Sequence, residues 1–149
     1  MRINSYALTV SCLVALISAS ASAAPYSIPP EKQNIKKVYY GTATSFEKPG
    51  KVDYVSVVKA TPEYEEVKKE KIEPGTGKYW ILLSQASDRA VRAISKVGHD
   101  SGYDFIAAQA YLGSLEPGIP SEDITPLVLD QVKGEAKEKP KVESKGKMK

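Results

Sequence analysis

The sequence predicts an α+β fold: one small sheet of about four strands, antiparallel or mixed, with a helical hairpin and a short C-terminal helix. Residues 36–45 and 51–60 are rich in the β-branched and aromatic residues that favour strands. Residues 83–97 instead carry apolar side chains at steps of three and four, the spacing of one buried helix face. Thr-Pro pairs at 61–62 and 125–126 are typical helix starts, because threonine caps well and proline is tolerated in the first turn.

The strand segments are predicted first. Residues 36–45 and 51–60 are joined by a Glu-Lys-Pro-Gly turn at 47–50, so we expect them to form an antiparallel hairpin. Two further apolar segments, 103–107 and 110–115, are predicted to be strands as well.

The helices are predicted at 62–73 and 78–97, and the Pro-Gly-Thr-Gly segment at 74–77 separates them as a hairpin would require. Residues 79–83 are apolar on every side, so a strand is the alternative for that stretch. A last short helix is predicted after the second Thr-Pro pair, over 127–132.

The first 23 residues match a secretory signal peptide. Arg2 is followed by an apolar run over 6–19 and by an Ala-Ser-Ala cleavage site at 21–23. The run is shorter than a membrane span needs. We therefore expect the mature chain to begin at Ala24 and to work in the periplasm, or outside the cell, with no integral membrane span after cleavage.

The mature chain divides into three parts. Residues 24–35 are Pro-rich and predict an extended lead-in, 36–133 a single α+β domain, and 134–149 a disordered Lys/Glu-rich tail. The segment 133–149 has seven Lys and three Glu, whereas 24–132 has thirteen basic and fifteen acidic residues. This distribution argues against a nucleic-acid partner, which needs basic residues clustered on a folded face.

The only cysteine, Cys12, lies inside the predicted signal peptide. The mature chain therefore has no thiol, which excludes disulfides, thiolate metal sites and cysteine nucleophiles. We expect no metal and no cofactor.

Three motifs are candidates for catalytic or ligand-binding sites. His99, the only histidine, is close in sequence to Ser101, and a hydrolase could use the two as base and nucleophile. A polar turn that closes a helix explains them more simply. Gly75–Lys78 resembles a phosphate-binding loop but lacks its full spacing. Glu122 and Asp123 could bind a cation, but a lead-in to the following helix explains them more simply. We predict that the protein is not an enzyme and has no catalytic residues.

Several aromatic residues are candidates for a binding surface. Most are expected to be core or sheet residues, because tyrosine and tryptophan also fill core edges. Tyr79 and Trp80 open the apolar run of the longer helix and are the candidate binding residues.

The C-terminal half resembles the Skp/OmpH family of periplasmic chaperones. The shared pattern is a helix end, a Gly-Tyr-Asp strand start and an Asp-Ile-Thr helix start, with an earlier Val-Asp-Tyr-Val strand and a Thr-Pro-Glu-Tyr start of a helical arm. The matching segments are 52–55, 61–64, 93–97, 102–106 and 123–125, with Val128 and Val132.

This resemblance implies a trimer, assembled through strands of a β-rich head, that holds unfolded outer-membrane proteins between helical arms. The predicted helices here are shorter than that family's arms. The function expected is therefore an exported, chaperone-like binding protein for non-native envelope proteins. The alternative is a small structural or stress-related envelope protein with no catalytic activity.

Overall fold

A computed structural model describes residues 25–137, and it confirms an α+β fold. The predicted signal peptide and residues 138–149 of the predicted tail lie outside the described residues. In chain order the elements are β1 (Val38–Gly41), β2 (Pro49–Val52), α1 (Tyr54–Lys59), α2 (Pro62–Lys69), α3 (Gly77–Ser101), β3 (Phe105–Ala108), α4 (Gln109–Gly113), β4 (Glu122–Asp123) and α5 (Thr125–Lys137), and two 3-10 turns, Pro30–Lys32 and Ile35–Lys37, precede β1.

The four strands form one mixed sheet in the order β1-β3-β2-β4. β3 pairs antiparallel with β1 and parallel with β2, and β2 pairs parallel with β4. The predicted hairpin between the first two strand segments is therefore wrong, because β3 lies between them. The predicted turn at 47–50 is wrong in its second half, since Pro49 and Gly50 are the first residues of β2.

The predicted strand over 51–60 is mostly helical. β2 ends at Val52, and the carboxylate of Asp53 accepts hydrogen bonds from the backbone N–H groups of Val55 (3.1 Å) and Ser56 (3.2 Å), which caps α1. The consecutive residues Val57 and Val58 both lie in one core cluster. Neighbouring residues of a strand point to opposite faces, so a helix suits this burial better.

Both helices of the predicted hairpin form. Thr61 caps α2 by accepting the N–H of Tyr64 at 3.3 Å, although α2 ends at Lys69, before the predicted end. α3 has 25 residues and includes 79–83, so that stretch is helical rather than a strand. It ends at Ser101 and is capped by Gly102, whose φ of 69° lies in the left-handed region that glycine adopts without strain.

The core has two parts, one on each face of the sheet. On β3, Ile106 belongs to the larger cluster, whereas Phe105 and Ala107 belong to the smaller one, as the alternation of a strand requires. Residues of α1, α3 and α5 complete the larger cluster, and residues of α4 and the N-terminal segment complete the smaller one.

Gly98 brings α3 close to the sheet. A Cβ at this position would lie 2.9 Å from side-chain atoms of both Ile106 and Tyr40. The helix was predicted to end at position 97, but Gly98 lies within α3, and its missing side chain makes room for the sheet.

The predicted lead-in, residues 24–35, takes part in the core from Tyr26 onward. Tyr26 forms a β-bridge with Phe46, and Ile28 is only 2% exposed. The ring of Phe46 stacks on that of Phe105 at 4.2 Å. The lead-in therefore covers one face of the sheet, which its proline and polar content did not indicate.

The predicted strand at 110–115 is also wrong, since Gln109–Gly113 form α4. Leu112 of α4 is buried, and so is Leu115 just beyond the end of the helix. The hydroxyl of Tyr111 donates to the carbonyl of Lys32 at 2.8 Å and so ties α4 to the N-terminal segment.

The predicted C-terminal helix forms but is longer than expected. α5 begins at Thr125 and continues to Lys137, so residues 134–137, predicted as the start of the tail, are helical. The Thr125 hydroxyl accepts the backbone N–H of Asp53 at 3.0 Å and thus links α5 to the end of β2. Glu135, in the added turn, approaches Arg89 of α3 at 3.8 Å, which gives this turn a partner that composition did not reveal.

Candidate functional site

α2 and α3 form an antiparallel hairpin. Lys78, at the start of α3, forms ion pairs with Glu70 and with Glu66 (3.6 Å) near the end of α2. Further along α3, Arg89 pairs with Glu63 at the start of α2. α3 is about 37 Å long at 1.5 Å per residue, and α2 only about 12 Å. The first turns of α3 therefore lie at the tip of this hairpin.

The first turn of α3 is fixed by a cap. Thr76 Oγ1 accepts the backbone N–H of Tyr79 at 3.2 Å, and the Thr76 carbonyl accepts that of Trp80, also at 3.2 Å. The hydrogen bond from Lys78 to Glu70 raises the pKa of the Lys78 ammonium, with a further contribution from Glu66. These contacts hold the two predicted binding residues on an ordered helix rather than on a loop.

The structure brings Tyr79 and Trp80 together at the hairpin tip. Their rings meet edge to face with centroids 5.3 Å apart. Tyr79 is half-buried, whereas Trp80 is 59% exposed.

A second exposed residue, Ile81, is also 59% exposed and was not predicted as part of the site. Leu82, two positions after Trp80 and hence about 200° around the helix, is buried. Because the run 79–83 is apolar throughout, periodicity could not show which of its residues face outward.

The exposed surface continues along α3. Trp80, Ser84, Ser87 and Val91 follow one another at steps of four, three and four, and so lie on one face of the helix. We call these four residues the outer stripe. Val91 is 37% exposed at its far end. Two small serine side chains thus separate two larger apolar ones over about 16 Å, with Ile81 beside the first.

A salt-bridge cluster marks the inner end of the hairpin. Arg89 donates from Nε and Nη2 to both carboxylate oxygens of Glu63, at 2.6–3.1 Å. The two side chains are only 14% and 11% exposed. Since Glu135 of α5 also approaches Arg89, this cluster joins α2, α3 and α5.

Within the described residues, no hydrogen bond joins the side chains of His99 and Ser101. His99 lies in the last turn of α3 with its side chain 82% exposed, and its Nδ1 is 3.1 Å from Asp100 Oδ1. Lys96 and then His99 lower the pKa of the Asp100 carboxyl. The backbone carbonyl of Ser101 accepts a hydrogen bond from Lys48 Nζ at 2.9 Å.

The other motifs have structural roles. Gly77 and Lys78 belong to the first turn of α3, with Gly75 just before it. Glu122 and Asp123 form β4, and Asp123 Oδ1 accepts the backbone N–H of Thr125 at 3.0 Å, as expected of a helix lead-in. A hydrogen bond with the Thr125 hydroxyl, followed by the one from the Thr125 N–H, lowers the pKa of the Asp123 carboxyl.

Within residues 25–137, no three His, Cys, Asp or Glu side chains lie close enough together to hold a metal ion. Over the same residues, no helix combines the length and the apolar composition that crossing a membrane requires. Comparison with protein families, with curated proteins and with solved structures finds no match to this chain.

Proposed function

We propose that this protein is an exported, non-enzymatic binding protein that holds apolar segments of non-native envelope proteins on the outer stripe of α3. The observation that carries the proposal is the exposure of Trp80 and Ile81, 59% each, on a capped helix. Apolar side chains grouped on the surface of a soluble domain usually mark an interaction site. The secretory signal predicted over 1–23 would deliver the protein to the compartment that unfolded outer-membrane proteins cross.

The shape of the stripe suits an extended chain. Its length of about 16 Å matches about five residues of extended polypeptide at 3.3 Å each. The small side chains of Ser84 and Ser87 would let such a segment lie against the helix between Trp80 and Val91. A serine hydroxyl both donates and accepts hydrogen bonds, so these two residues can also pair with the backbone of that segment.

Binding by a single protomer should be weak, because so short a contact buries little surface. Several copies acting on one client would gain affinity through multivalency. The trimer implied by the resemblance to the Skp/OmpH family would supply that gain without long arms. Because the outer stripe itself contains no charged residue, salt should change binding little, whereas exposed charge pairs are screened.

The test is light scattering of a denatured porin diluted into buffer with a tenfold excess of the mature protein. We expect partial suppression of aggregation, equal at low and high salt. Changing both Tyr79 and Trp80 to alanine should abolish it, and Ile81→Ala should weaken it. Leu127→Ala is the matched control, because Leu127 is an exposed apolar residue (46%) on another helix, α5.

Two results would contradict the proposal: no protection by the unaltered protein, or equal protection by the Tyr79/Trp80 double variant. Either result would favour the alternative, a structural or stress-related envelope protein without clients.

A further inference from the structure

The connections that leave β2 and β3 pass to opposite faces of the sheet. β2 leads into α1, whose Val57 and Val58 lie in the larger core cluster. β3 leads into α4, whose Leu112 lies in the smaller cluster on the other face. Neighbouring parallel strands with such diverging connections leave a crevice at their carboxyl ends, the position where open α/β sheets bind ligands.

A cavity occupies this crevice. Its volume is about 380 Å³, within the range of small-molecule sites. Its walls are the ends of the two strands with the residues that follow them, 52–55 and 108–110, together with Lys37 just before β1 and Tyr39 within it.

The aromatic wall of the cavity is a pair of tyrosines. The rings of Tyr39 and Tyr54 stack with centroids 4.9 Å apart and 16° between their planes. Both residues are partly buried and pack against the larger cluster. Burial, followed by the nearby Tyr54 and Asp53, raises the pKa of Tyr39, so its hydroxyl stays protonated at neutral pH.

The polar groups of the cavity include one acid and one base. The Asp53 carboxylate is held in place by Val55, by the Ser56 N–H and by the Ser56 hydroxyl at 2.6 Å. A carboxylate has about four acceptor positions, so this leaves capacity for a ligand. Lys37 can only donate hydrogen bonds, and the amide of Gln109 can both donate and accept.

We propose that this crevice binds a neutral, hydroxyl-rich ring compound, that is, one unit of a saccharide, against the Tyr39–Tyr54 pair. Lys37 and Asp53 offset each other, so the cavity has no excess charge to select a phosphate or an ammonium ion. A hydroxyl group is both donor and acceptor, and it can therefore satisfy the carboxylate, the amide and the ammonium alike. The C–H face of a sugar ring would pack against the part of the tyrosine pair that lines the cavity. The proposal does not depend on the outer stripe, which is formed by other residues.

The test is a titration of the ¹⁵N-labelled mature protein with cellobiose and with N-acetylglucosamine to about 20 mM, followed by NMR. Binding at millimolar Kd corresponds to about −4 kcal/mol and is measurable in this range. We expect shifts of the backbone signals at 53–56 and 108–110 and none at Trp80. Inorganic phosphate and glycine betaine are the comparison ligands, and neither should shift these signals.

Three variants sharpen the test. Tyr54→Ala should weaken binding at least tenfold, whereas Tyr64→Ala, at a partly buried tyrosine packed on the same cluster outside the cavity lining, should not. Asp53→Asn keeps a good helix cap and should weaken binding without unfolding the domain. The proposal is overturned by an absence of sugar-induced shifts, by shifts that survive Asp53→Asn and Tyr54→Ala unchanged, or by a crevice that responds to phosphate or betaine instead.

Discussion

The two halves of α3 contain similar apolar residues but use them differently. In the C-terminal half, Ala90, Ile94 and Val97 pack against the sheet, α1 and α5 and are at most 7% exposed. In the N-terminal half α2 runs alongside and Leu82 and Ala86 are buried, yet Trp80 and Ile81 on the outer face remain 59% exposed. One continuous helix thus joins an anchored half to a half whose outer face is uncovered, called the uncovered half below.

This difference indicates what each half contributes. Burying apolar area contributes about 25 cal/mol per Å², so the anchored half stabilises the fold. The exposed side chains of the uncovered half gain little of this free energy. They are therefore free to be changed, or to be used for binding, without loss of the fold.

The largest expected effect separates the two halves directly. Ile94→Ala should lower the free energy of unfolding by about 2–5 kcal/mol, because Ile94 is fully buried and its loss leaves a cavity. Ile81→Ala should cost less than about 0.5 kcal/mol, as exposed substitutions do. Urea unfolding of both variants checks this, and equal costs would break the distinction.

A second effect concerns the point where the two halves meet. Removing the Arg89 side chain takes the bidentate ion pair away from the buried Glu63 carboxylate. Breaking a buried pair costs about 3–5 kcal/mol; because this pair is 14% and 11% exposed, we expect about 2 kcal/mol for Arg89→Ala. Arg89→Lys should recover only part of the loss, since lysine cannot form the two parallel hydrogen bonds. A full recovery in urea unfolding would show that charge alone matters here.

A third effect concerns the N-terminal cap of α1, the helix that packs against the anchored half of α3. Asp53→Ala removes the α1 cap and should cost about 1 kcal/mol at pH 7, whereas Asp53→Asn keeps a cap. Chiefly the Ser56 hydroxyl lowers the pKa of Asp53 in the folded state. Its contribution to stability is therefore present above the unfolded pKa of about 4 and is lost as the pH falls through the lowered folded value.

Unfolding measured between about pH 5 and pH 2 should show a smaller decline for Asp53→Asn than for the unaltered protein. Identical acid profiles would mean that the capping hydrogen bonds do not stabilise the folded state.

The sequence predicts burial along α3 only where its apolar residues recur with a helical period. The apolar repeat that contains Ala90, Ile94 and Val97 predicted the buried face of the anchored half correctly, because a buried helix face repeats every three to four residues. The run 79–83 has no such contrast, so the exposure of Ile81 was missed.

The sheet was predicted less well. Its order depends on which strands meet across long sequence separations, and local patterns do not record this. The cap at Asp53 outweighed the β-branched content of 51–60, and the partner of Glu135 lies 46 positions away at Arg89.

The smallest effect concerns the C-terminal end. Glu135 accepts from Gln131 at 2.8 Å and approaches Arg89, so truncation after Lys133 should lower the thermal midpoint by about 2–4 °C. Truncation after Lys137 removes a segment with few apolar residues and should leave the midpoint unchanged. Differential scanning calorimetry of the two truncations checks this, and an equal drop in both would show that residues 138–149 also stabilise the domain.

The central claim is that the uncovered half of α3 is where client segments bind. The chain has one tryptophan, Trp80, so its fluorescence reports on the outer stripe alone. The most direct measurement is the emission spectrum and acrylamide quenching of Trp80 during suppression of aggregation of a tryptophan-free client. The account predicts a blue shift and reduced quenching that grow in step with the suppression. Suppression with an unchanged Trp80 spectrum and unchanged quenching would place the client elsewhere on the molecule and contradict the account.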